Sequence, residues 1–171
     1  MTTQEIIGQV FGILSMLMTC LCYQVNSKRK ILIVQCASIV FICINYLLLG
    51  ATSGFVLNIV CLLRNITYYF QKEGSRYQLA AGCIFAAAIG VCGALSWQGP
   101  ISLLMIAALM INTVVLSLGL PQLLRKSILL TSTMVLIYNV TVFSVGGILN
   151  ECVAILSSVV GLIRYAKKEG A

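Results

Sequence analysis

Arg64 and Glu151 are the ionisable side chains that this sequence sets inside long apolar runs, and any chemistry must start from them. A charge near the middle of a bilayer costs about 2.5–3.5 kcal/mol on insertion scales, so such a group is expected to face a partner or a wet cavity. Arg64 suits an anionic or polyhydroxylated solute. Glu151 is the only carboxylate within a run that can couple a transport step to protons. With Arg64 about ten residues into the third run, Glu151 about three into the seventh and a rise of ~1.5 Å per residue, the two backbones differ in depth by roughly 10 Å. Direct pairing then needs extended side chains, helix tilt or a bridging water. The competing reading is that each charge snorkels to its nearest aqueous face. Asn45, Asn58, Asn65, Asn112, Thr113, Asn139 and Asn150 supply further polar groups, which must find partners when buried. Bonding between helices competes with solute contact at each of them. The substrate-binding set read from this pattern is Asn58, Arg64, Asn139, Asn150 and Glu151.

The elements that hold these residues follow from composition. Of the 171 residues 60% are apolar and 9% charged, with a mean hydropathy of +1.05, a balance that cannot cover a water-soluble surface. Apolar runs over residues 6–24, 31–49, 54–70, 78–96, 101–119, 128–143 and 148–165 predict seven transmembrane helices. A β-barrel is excluded because these runs are continuous and do not alternate. The stretch Met1–Glu5 lacks the basic region of a secretory leader, so the first run is expected to stay as a helix.

Ten of the eleven Lys and Arg residues fall at one side of this pattern: Lys28, Arg29 and Lys30; Lys72 and Arg76; Arg125 and Lys126; Arg164, Lys167 and Lys168. Basic residues beside spans stay in the cytoplasm, so the N-terminus is expected outside and the C-terminus inside. The net charge of +7 is this topology signal and predicts no nucleic-acid partner. The expected partners are the lipid bilayer and a small polar or anionic solute. Eight cysteines lie within spans, where a free thiol packs as a small apolar group. Their spacing suits neither a metal site nor a disulfide framework, and no cofactor is expected. With no His, no Asp and no nucleophile beside a base, enzymatic activity is not expected either. Tyr68, Tyr69, Tyr77, Trp97 and Tyr165 stand near run ends as expected interfacial anchors. In the fourth run Gly82, Ala86 and Gly90 recur every four residues, a surface for close helix packing.

Sliding the chain by 92 residues superposes Tyr46 on Tyr138, Thr52 on Ser144, Gly54 on Gly146, Leu57-Asn58 on Leu149-Asn150 and Lys72 on Arg164. This predicts a single membrane domain, 1–171, built from a three-helix unit at 6–70, a connector at 78–96 and a second unit at 101–165, the two units running in the same direction. Pro121-Gln122 at the end of the fifth run has an echo in Tyr23-Gln24 at the end of the first, and resembles a degraded proline-glutamine signature.

The stretch Asn45-Tyr46-Leu47-Leu48-Leu49-Gly50 followed by Arg64 resembles the bacterial inner-membrane YgjV family. So does Ile137-Tyr138-Asn139 followed by Ser144-Val145-Gly146-Gly147, Glu151 and Ile163-Arg164-Tyr165. The likeness covers most of the chain. Two positions depart from the family pattern, Asn45 standing in place of His and Cys61 in place of Asn, which argues against a His-based proton relay. That family is similar in layout to the PQ-loop and SWEET transporters, with three, one and three helices and a central site between the triplets. The resemblance implies a small-solute transporter or facilitator using alternating access. A non-transporting interaction or assembly subunit of the inner membrane is the alternative.

Overall fold

The computed structural model describes residues 3–22, 28–71, 76–118 and 120–169, and within them the chain forms seven α-helices and no strand. They are α1 (Thr3–Cys22), α2 (Lys28–Leu48), α3 (Thr52–Phe70), α4 (Arg76–Leu95), α5 (Ser102–Leu118), α6 (Pro121–Thr141) and α7 (Val145–Glu169). Helices are the expected outcome in lipid, because each satisfies its own backbone N–H and C=O groups without water. Five of them, α1, α2, α4, α6 and α7, are long and apolar enough to cross a membrane. The apolar α5 is shorter, at 17 residues. The apolar character of α3 is diluted by Asn58, Arg64 and Asn65, the polar groups that matter below.

Two boundaries differ from the sequence expectation. Helix α6 starts at Pro121 and not near 128, so Arg125 and Lys126 ride on its first turns and do not lie in a loop. Proline favours a first helical position because its missing N–H would be unpaired there in any case. Helix α7 continues to Glu169, past the expected 165. Tyr23, Gln24 and Lys72 lie outside the described residues, as do the side chains of Pro121, Gln122, Arg164, Tyr165, Lys167 and Lys168.

Contacts between the helices form a ring. Helices α1, α2 and α3 follow one another around it, as do α5, α6 and α7, and the seams α1–α7 and α3–α5 close it. Helix α4 stands outside, packed on α3 and α5. Its buried face comprises Gln78, Gly82, Ala86, Ile89 and Gly93, and a Cβ added at Gly82 or Gly93 would run into Ser117 or Ile106 of α5. The small-residue stripe thus serves close packing, as its spacing implies.

Not every aromatic expected at an interface is found there. Tyr77 and Trp97 are exposed, at 79% and 50%, as anchors should be. Tyr68 is only 2% exposed, and its hydroxyl lies beside Gly82, in the packing of α3 against α4. The missing side chain of Gly82 makes the room that draws Tyr68 inward.

The α1–α7 seam is tighter still, with Gly12 and Gly146 in backbone contact. A Cβ on Gly146 would enter the backbone of Gly12, whereas a Cβ on Gly90 would meet only the Met110 side chain, at 3.6 Å or more. The substitution Gly146→Ala should therefore cost about 1–3 kcal/mol by overpacking. Gly90→Ala should be near neutral or slightly stabilising, since alanine is the better helix former. Thermal unfolding of the two purified variants against the parent checks the contrast.

Candidate functional site

A cavity of about 1250 Å³ runs along the axis of the ring. All six ring helices line it and α4 contributes nothing. The five residues expected to bind a solute, Asn58, Arg64, Asn139, Asn150 and Glu151, are all on its wall. The cavity extends toward the end where α1, α3, α5 and α7 finish, reaching Thr19, Leu116, Arg125 and Gly161.

Arg64 is 5% exposed, and its long side chain does not leave the bundle. Its Nη1 donates to Thr113 Oγ1 at 2.6 Å, while Nε and Nη2 both donate to Asn65 Oδ1, at 3.2 and 3.1 Å. Asn65 in turn donates to Gln35 Oε1 at 3.5 Å. Among the described residues no carboxylate comes within ion-pairing distance of Arg64, Glu151 included. A guanidinium has five N–H donors, so roughly two stay free beside the cavity. Amide and hydroxyl oxygens hold the group in place and leave its charge uncancelled.

Glu151 sits nearer the other end of the same cavity, in the second turn of α7. It accepts a bond from Asn150 Nδ2 at 3.4 Å, and the hydroxyl of Ser132 on α6 lies near it. Two polar atoms close by have no partner: Asn150 Oδ1 and Asn139 Nδ2. Asn58 spends its Nδ2 on the Gly54 carbonyl at 2.8 Å, one turn back in its own helix, so its Oδ1 is the atom left for other work.

Beyond Glu151 the ring is shut. Tyr46 Oη donates to Asn139 Oδ1 at 2.7 Å, joining α2 to α6. Tyr138 Oη shares a 2.9 Å bond with Ser53 Oγ and accepts from the Gly54 N–H at 3.0 Å, joining α6 to α3. The two tyrosine rings meet edge to face at 6.0 Å. Gly54 has to be a glycine, because a Cβ there would lie 2.9 Å from Tyr138 Oη and 3.0 Å from the Tyr46 ring. Gln98 extends the layer, its Oε1 accepting from Ser53 N and Oγ at 2.9 and 3.2 Å. On the far side of this layer lies a second hollow of about 660 Å³, with Tyr138 on its wall.

Asn45, one of the amides expected along a central path, is not on the cavity wall. It donates to the Gly8 carbonyl at 2.8 Å and accepts from Ser144 Oγ at 2.6 Å, so it ties helices together. Sequence reasoning passed over Gln35, Ser132 and the role of the Tyr46–Tyr138 pair. A Ser or Thr in a span commonly bonds its own preceding turn, as Thr133 does to Leu129, so the residue type alone carries no signal. For the tyrosines the signal was present, since the two occupy equivalent places 92 residues apart.

A helical bundle with five helices long and apolar enough to cross a membrane defines a multi-pass membrane protein. The profile of Imp-YgjV, bacterial inner membrane protein, matches residues 6–169, and the chain belongs to that family. Its place is the bacterial inner membrane. No curated protein and no solved structure matches the chain.

The closed layer can be checked directly. Asn112 lines the cavity from α5, so a thiol introduced by Asn112→Cys should be modified by a membrane-impermeant reagent from one face of the membrane only. Peptide mass spectrometry on vesicles of each orientation reads the site of modification. Equal modification from both faces would show the layer to be leaky.

Proposed function

We propose that the protein is a small-solute transporter or facilitator working by alternating access, with its site between α1–α3 and α5–α7. The observation that carries this reading is an open cavity that holds an un-neutralised Arg64, reaches one end of the ring and stops at a hydrogen-bonded layer before the other. A charge buried at such cost is retained where it meets something that comes and goes. A non-transporting interaction or assembly subunit has no use for an open cavity of this size, and no catalytic step is assigned to the site.

In this proposal the segments 6–70 and 101–165 are two like-oriented units and 78–96 is their connector, the layout of PQ-loop and SWEET transporters. The distribution of Lys and Arg sets the open end in the cytoplasm. Asn58, Arg64, Asn139, Asn150 and Glu151 form the binding set, and Glu151 carries a proton if transport is coupled to one. The Tyr46–Asn139 and Tyr138–Ser53 bonds form the outer gate, because they are the bonds that must break for the cavity to open the other way.

Reconstituted vesicles screened with labelled sugars, carboxylates and amino compounds should accumulate one class of solute. Arg64→Ala and Glu151→Gln should each abolish that uptake while the protein still inserts; unchanged uptake in both variants would defeat the assignment. Tyr138→Phe removes a gate bond worth about 1–2 kcal/mol, which shifts a two-state population by a factor of roughly 5–30. In the Asn112→Cys background, labelling from the periplasmic face should rise by a comparable factor.

A further inference from the structure

Inward of Arg125 at its open end, the cavity holds two opposite charges that do not meet, Arg64 and Glu151. Arg64 is bound by Thr113 and Asn65, and Glu151 by Asn150 with Ser132 nearby, and no bond joins the two sets. Neither set neutralises its charged group, and both residues line the same cavity. The levels of the two can be compared across the ring. The Tyr46 side chain touches both Gly54 and Asn139, and Asn139 touches Gly147, so Gly54 and Gly147 stand at similar heights. Arg64 lies ten residues beyond Gly54 and Glu151 four beyond Gly147. The difference of about six residues is roughly 9 Å of depth. Thr113 keeps the guanidinium near its own level, because α5 and α3 run side by side from Ser102 and Ser53 to Thr113 and Arg64.

A simple anion would satisfy Arg64 and leave the Glu151 carboxylate facing it as a repelling charge. A simple cation has the reverse difficulty. A neutral polyol cancels neither. A molecule that carries a carboxylate at one end and an ammonium at the other cancels both, and adds no net charge to the low-dielectric interior. We propose that the site takes small zwitterions whose charges are several bonds apart, of the ω-amino acid type. The carboxylate lies on the free N–H donors of Arg64, and the ammonium lies against the Glu151 carboxylate. Arg125, whose Nη1 donates to the Gly161 carbonyl at 3.1 Å, stands on the cavity wall toward the open end. It favours admission with the carboxylate leading. This substrate class rests on the transport reading only for its passage across the membrane, and on the cavity for its binding.

A matched series separates the contributions of the two charges: 4-aminobutyrate and 5-aminopentanoate, their uncharged-end acids butyrate and pentanoate, and the amines butylamine and pentylamine. Binding is read by isothermal titration and by the rise in unfolding temperature of the purified full-length protein. The zwitterions should bind at least tenfold tighter than either matched partner. Glu151→Gln should bring zwitterion and acid to near parity, while Arg64→Gln removes the binding of both. Arg64→Lys, which keeps the charge but loses the fork, should retain weakened zwitterion binding. Each variant must elute as the parent does and unfold cooperatively for its titration to count, and the wild-type ranking alone decides the matter where one does not. Butyrate binding as tightly as 4-aminobutyrate, an unchanged preference in Glu151→Gln, or no heat from any zwitterion would each overturn the inference. Uptake of some other solute class that depends on Arg64 would overturn it while leaving transport intact. Zwitterion binding without any uptake would do the opposite.

Discussion

Keeping a guanidinium inside a bilayer without a carboxylate beside it is the constraint around which this molecule is built. Arg64 cannot reach lipid headgroups, being 5% exposed, and cannot borrow the charge of Glu151. What remains is a set of oriented dipoles, Thr113 and Asn65 with Gln35 behind, and a water-accessible hollow. The ring follows from that need. Six helices arranged around an axis enclose such a hollow, while a close-packed bundle of the same helices would leave the charge in a dry medium. Helix α4 has no polar group on the cavity and takes its place outside, where its glycines fit against α5.

The two ends of the ring are held by different means. At one end the connections are tight, three residues between α2 and α3 and three between α6 and α7, and each contains a residue in the left-handed region, Gly50 at φ 71 and Phe143 at φ 54. These turns bring Ser53, Gly54 and Ser144 within reach of Tyr138 and Asn45, so the hydrogen bonds there cross between distant parts of the chain. At the other end the side-chain bonds join neighbours around the ring, as Ser15 with Ser38 and Arg125 with Gly161. Bonds that run around the wall leave the middle open. Bonds that run across it close it.

Much of this could be read from the sequence because lipid is an exacting solvent. Seven apolar runs in a chain with 9% charged residues can be little else than membrane helices, and the two charges within them stand out against that background. The five proposed solute contacts all reached the cavity wall for this reason. The start of α6 was misplaced because Leu123 and Leu124 are followed by Arg125 and Lys126, and a charge pair reads as loop although Pro121 is a good first residue for a helix. Tyr68 was misplaced because a tyrosine at a run end is as suitable for an interface as for a gap left by a glycine on the next helix, and only the packing decides. Asn45 could not be told from Asn58 by type. One ties three segments together and the other bonds its own helix beside the cavity.

The glycine contact between α1 and α7 has a mechanical consequence. Where Gly12 meets Gly146 no side chains interlock, so the two backbones meet at a closest point, and Gln9 fixes the start of α7 beside it by donating to the Phe143 carbonyl and accepting from the Val145 N–H. The opposite seam, α3 with α5, is keyed by Ser53–Ser102 and Arg64–Thr113 and splinted by α4. One side of the ring is thus a rivet and the other a splice. The rivet holds α1 to α7 at their closest point, whereas the splice holds α3 to α5 all the way from Ser53 to Arg64.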